Sequence, residues 1–130
     1  MIEYPSVEKI IEFNLLSLSV IKVKKADSSR VLSRQKIVAV IDSCKKIKGD
    51  IFDKAVVLLK GLVQAHAFAS GNRRTAFLAM KYFLVINNHK LGVEDKAENA
   101  RVIFGIREKY YSDEEIKEWV KHGKIKEFKR

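Results

Sequence analysis

Apolar residues along this chain recur at helical rather than strand spacing, and turn signals cut the pattern into six segments. After Pro5 and Ser6, the positions Val7, Ile10, Ile11, Leu15 and Leu18 form one stripe, and proline is tolerated in a first helical turn. Residues 22–32 carry lysines, Asp27, Ser28, Ser29 and Arg30 and read as a surface connection. A second stripe, Ile37, Val38, Val40, Ile41 and Cys44, follows Ser33, whose hydroxyl suits an N-cap. Gly49-Asp50 ends it. From 51 to 66 the chain is apolar almost all round, which places that helix at the centre of the fold. Gly61 inside it costs roughly 1 kcal/mol against alanine, which points to close approach by a neighbouring backbone.

A fourth helix is predicted over 72–88, with Ala76, Phe77, Leu78, Met80, Phe83, Leu84 and Ile86, and a fifth over 94–108, with Ala97, Ala100, Ile103, Phe104 and Ile106. Ser112-Asp113-Glu114-Glu115 is a Ser-x-x-Glu capping box before Ile116, Trp119 and Val120, and Gly123 is the expected stop. The basic stretch 124–130 is expected to fray. With no sustained period-2 alternation, the prediction is all-α: one domain, 1–130, of about six helices.

Composition narrows the functional classes only partly. A chain of 130 residues with 47% hydrophobic content can bury one core. The 26 basic and 16 acidic residues leave a net charge of +10, which favours anionic partners without choosing among them. The lysines are spread evenly, and the aromatics do not interleave with them as a nucleic-acid stacking platform requires, so nucleic acid is not the expected ligand. Cys44 is the single cysteine, which leaves no disulfide framework and fits a reducing cytoplasm. No apolar run reaches membrane-spanning length. His89 and His122 have no partner at metal-ligand spacing, and Asp113, Glu114 and Glu115 suit the first-turn dipole of the last helix.

The chemistry concentrates where the two most apolar helices meet, at His66-Ala67-Phe68-Ala69-Ser70-Gly71-Asn72-Arg73-Arg74-Thr75-Ala76. An imidazole at the end of one helix can take a proton from an attacking hydroxyl at neutral pH. Gly71 permits the positive φ or close approach of an anion-cradling turn, and Asn72 can cap the next helix or touch a phosphate. Arg73 and Arg74 sit in a first helical turn, where cations oppose the dipole; an anion between them would relieve that conflict. Alone, consecutive helical residues point about 100° apart and need not serve one ligand.

The pattern His-x-Phe-x-x-x-Asn-basic-Arg-Thr-Ala resembles the core motif of the Fic/Doc superfamily, and most closely its Doc (death-on-curing) branch, His-x-Phe-x-Asp/Asn-x-Asn-Lys-Arg-Thr-Ala. Gly49-Asp50-Ile51-Phe52 opening the central helix, the Asn87-Asn88 stop and the last two helices are similar to the Doc layout, so the resemblance covers nearly the whole chain. It implies a toxin of a toxin-antitoxin pair that uses ATP and Mg²⁺ to transfer a phosphoryl group to a protein hydroxyl, with elongation factor Tu as the family's target. Carried over by position, it implies His66 as general base with Arg74 beside it in catalysis. It also implies Phe68 as loop anchor, and Ser70, Gly71, Asn72, Arg73 and Arg74 around the phosphates. A separate antitoxin is implied, since no Ser/Thr-x-x-x-Glu-Gly/Asn inhibitory motif is present.

Two positions depart from that pattern. Ser70 stands where relatives carry the metal-binding carboxylate, and a neutral hydroxyl is the poorer ligand for a hard dication. Arg73 replaces the Doc lysine, keeping the charge but changing its geometry. Residues 45–50 are also shorter than the flap with which relatives align a target chain. Two alternatives follow: Fic-like AMP transfer, against which Arg73 in place of the Fic glycine argues, and a catalytically impaired nucleotide- or protein-binding relative in which Ser70 records lost metal chemistry.

Overall fold

The computed structural model describes residues 1–20 and 30–129, and the 22–29 part of the expected surface connection lies outside them. The described residues form six helices: α1 (Val7–Val20), α2 (Arg34–Lys46), α3 (Ile51–Ala65), α4 (Asn72–Ile86), α5 (Asn99–Arg107) and α6 (Asp113–His122). The starts of α2, α3 and α6 are set by side-chain caps. Ser33 Oγ accepts from the Lys36 N–H, and both Asp50/Asp53 and Ser112/Glu115 close reciprocal capping boxes. Gly123, at φ 73°, stops α6 as expected.

α3 is the central element. It packs on α4 most extensively and also touches α2, α5 and α6, and its Ala55, Leu58 and Leu59 are fully buried. Lys54 is buried in it too, and its ammonium donates to the carbonyls of Cys44, Lys45 and Ile47 at 3.1, 3.1 and 2.9 Å. That cation satisfies the orphan carbonyls at the end of α2, where the helix dipole favours it. Cys44 is buried beside it, and desolvation pushes its thiol up to about 11, so it is an inert core group.

Five expectations are corrected. In α1 the buried face is Ile10, Asn14 and Ser17, while Leu15 and Leu16 are exposed; Asn14 and Ser17 face inward because hydrogen-bond partners await them there. Val38 is exposed on α2. The neighbour of Gly61 is a side chain rather than backbone, since a Cβ at this position would stand 2.7 Å from Val40 Cγ1. α5 begins at Asn99, not 94, and Asn99 Nδ2 donates back to the Glu94 carbonyl, holding the preceding residues in turns. The 124–129 part of the expected frayed stretch is anchored: Phe128 is buried against Phe104 and Tyr110, and its carbonyl accepts from Arg101.

Candidate active site

The α3–α4 junction is fixed from below and from the side. Phe68 is buried, which anchors the turn in the core. Asn72 closes a two-way clamp on it: its Oδ1 accepts from the Phe68 N–H at 3.0 Å and its Nδ2 donates to the Phe68 carbonyl at 2.9 Å. Its amide therefore shapes the loop first. Under the loop, buried Asn14 donates to the Ser70 carbonyl at 2.8 Å and to Thr75 Oγ1 at 3.1 Å, and Ser17 Oγ lies 3.5 Å from the same hydroxyl. Three buried polar side chains at 0–1% exposure are tolerated only because they satisfy one another and the loop.

Along its side the loop pairs with residues 30–33. Val31 and Phe68 form an antiparallel bridge, Leu32 and Ser33 donate to the Ala67 carbonyl, and Ala69 donates to the Arg30 carbonyl. The segment beside the motif is thus 30–33. Residues 45–50, considered above as the flap, lie before the first turn of α3, whose 15 residues put them about 22 Å from the loop.

His66 caps α3 in the left-handed region, φ 51° and ψ 50°, and is exposed. A β-carbon makes that conformation unfavourable, so the surrounding loop holds it there. Gly71 takes φ 77° as the N-cap of α4, and a Cβ there would meet Ser17 Oγ at 3.1 Å and Asn14 Nδ2 at 3.2 Å. No side chain caps α4, which leaves its first N–H groups directed at the loop mouth.

These residues border one cavity of about 740 Å³. His66, Ser70, Gly71, Asn72, Arg73 and Arg74 all line the cavity, so the candidate catalytic and phosphate-binding positions named from the sequence are brought together, with Phe68 buried. The opposite wall comes from the approach to α5 and from α5 itself: Asp95, Lys96, Asn99, Ala100, Ile103 and Arg107. Sequence reasoning assigned that wall no role. Asn14 and Ser17 were not found either, and Thr75 was named in the motif without a role; the spacing Ile10, Asn14, Ser17 on one helical face was the available signal. His89 borders a different cleft, edge-on to Phe52, and His122 pairs with Glu118 at 3.0 Å.

The cavity is electropositive. Arg73, Arg74, Lys96 and Arg107 face it against the single carboxylate of Asp95, and Lys96 is itself paired with Glu94 at 3.1 Å, which raises its ammonium pKa. Such a charge balance, with a helix N-terminus, is an anion site. It does not fit a divalent cation at position 70: Ser70 offers only a neutral hydroxyl, and Asn72 is engaged with Phe68. Among the described residues no three His, Cys, Asp or Glu side chains gather as metal ligands.

Residues 21–84, just under half of the chain, match the model of the Fic/DOC family, and the helical fold of the described residues is consistent with that match. The matched segment includes the loop that forms one wall of the cavity. Among individual proteins, it is 42% identical over 52 residues to Toxin Doc of Mycolicibacterium smegmatis; the match covers 38% of this chain and 40% of that relative's length. Among the described residues no helix is long and apolar enough to cross a membrane.

Proposed function

We propose that this chain is a Doc-like toxin of a toxin-antitoxin pair, which transfers the terminal phosphoryl group of ATP to a serine or threonine hydroxyl of a translation protein. The observation that carries the reading is the convergence of His66 with Ser70, Gly71, Asn72, Arg73 and Arg74 on one electropositive cavity. The partial match to a protein named Toxin Doc supports the toxin and its separate antitoxin. In the proposed step His66 takes the proton of the acceptor hydroxyl as its oxygen attacks the terminal phosphorus. The bond to the bridging oxygen breaks, and ADP leaves. Arg74, with the α4 N-terminus, stabilises the charge on the transferring group, and Gly71 and Arg73 hold the remaining phosphates. Positioning and charge stabilisation carry most of such a reaction. ATP is the proposed nucleotide, and no step is assigned to Mg²⁺.

Ser70 favours a second reading, a nucleotide-binding relative without turnover. Incubation with ATP and a translation extract, followed by intact-mass measurement of the modified proteins, separates the possibilities. A phosphoryl adduct that disappears in His66→Ala supports the proposal. An adenylyl adduct replaces it with AMP transfer, and ATP binding with no adduct replaces it with the non-catalytic reading.

A further inference from the structure

The far wall of the cavity carries a guanidinium that the motif does not account for. Arg107, in the last turn of α5, lies with its Cζ 6.0 Å from the centre of the Phe104 ring, and Arg73 on α4 lies 5.4 Å from the same ring. Both arginines line the cavity. Phe104 is in turn braced by Phe128, at 5.8 Å between ring centres, so the aromatic platform is fixed by the chain's end. Among the described residues neither Arg73 nor Arg107 forms an ion pair with a carboxylate. Two like charges held against one ring repel, and their position is favourable when an anion lies between them.

We propose that Arg73 and Arg107 form, across Phe104, an anion subsite that takes a phosphate group of a polyphosphate ligand directly, with no intervening divalent cation. The subsite matches the other departure in this cavity. With only a neutral hydroxyl at position 70, the fixed guanidiniums of Arg73 and Arg107 supply positive charge, and their planar forks suit phosphate oxygens. The assignment rests on the nucleotide reading above for the identity of its ligand, but its chemistry requires only a polyphosphate.

Calorimetric titration with tripolyphosphate and with ATP, each in EDTA and again with Mg²⁺, tests it on the wild type, Arg107→Gln, Arg73→Gln and Lys81→Gln. Lys81 is exposed on α4 outside the cavity and controls for lost net charge. The wild type is expected to bind both probes in EDTA. Arg107→Gln and Arg73→Gln should each weaken binding roughly ten-fold or more, the scale of a charge-assisted hydrogen bond, and Lys81→Gln should leave it unchanged. Arg107→Gln binding like the wild type, or wild-type binding that appears only with Mg²⁺, overturns the subsite. Arginine-dependent binding of tripolyphosphate without ATP binding upholds it and removes the nucleotide reading instead. Binding of neither probe under any condition overturns both.

Discussion

At the scale of single residues, the loop works because its atoms are over-determined. Asn72 spends its amide on both backbone groups of Phe68, so its main task is to hold His66 and Ser70 at the cavity rather than to act on the ligand. Asn72→Ala should therefore lower stability by about 1–3 kcal/mol, the cost of leaving buried loop groups unpaired, and reduce transfer further through misplacement. Denaturant unfolding and transfer rates on the same samples check both. Ser70 gives the complementary test. Ser70→Asp introduces a carboxylate beside the N-terminus of α4, and ATP binding, measured by calorimetry, should become tighter with Mg²⁺ than in EDTA. Equal affinity in the two buffers would show that position 70 does not govern metal use. The motif residues were legible because their chemistry is local: a helix end, a glycine and a helix start in eleven consecutive positions. Arg107 was not, because its role depends on α5 folding back across the cavity, which no spacing along the chain reveals.

At the scale of elements, caps and buried polar contacts decide how the helices are set. Asp50 and Asp53 cap α3, and Lys117 of α6 reaches both carboxylates, at 3.3 and 2.9 Å. The Asp53 N–H, with Lys117 beside it, holds the Asp50 carboxyl below the usual carboxylate range. A carboxylate depressed in the folded state adds stability at neutral pH that is lost as pH falls through its folded value. Asp50→Ala should cost about 1 kcal/mol at pH 7, and Asp50→Asn should keep most of the cap while flattening the decline of stability in acid. Thermal unfolding between neutral and acidic pH measures both. Capping boxes such as this one were readable directly, whereas the face of α1 was not. Its leucines suggested one stripe, yet Asn14 and Ser17 turn inward to meet the Ser70 carbonyl and Thr75 hydroxyl. Hydrophobic periodicity cannot register a helix whose inner face is partly polar. The start of α5 was misplaced for a related reason, because Asn99 makes its turn by bonding to the Glu94 carbonyl.

At the scale of the whole molecule, two apolar helices meet end to end and present a rigid loop, while α5 and the residues before it supply the opposing wall, braced behind Phe104 by Phe128. Part of the chain's positive charge gains a location in this arrangement: Arg73, Arg74, Lys96 and Arg107 line a cavity of about 740 Å³, a size that suits a small-molecule ligand better than an extended polymer. The proposed function requires this cavity to move a phosphoryl group with His66 as the base. The most direct measurement gives the chain and its acceptor protein two preparations of ATP, one labelled on the terminal phosphorus and one on the innermost. Label should pass to the acceptor from the terminal position only, and His66→Ala, folded as judged by its thermal transition, should transfer none. Transfer of the innermost label, or terminal-label transfer that survives His66→Ala, would overturn phosphoryl transfer with His66 as the base.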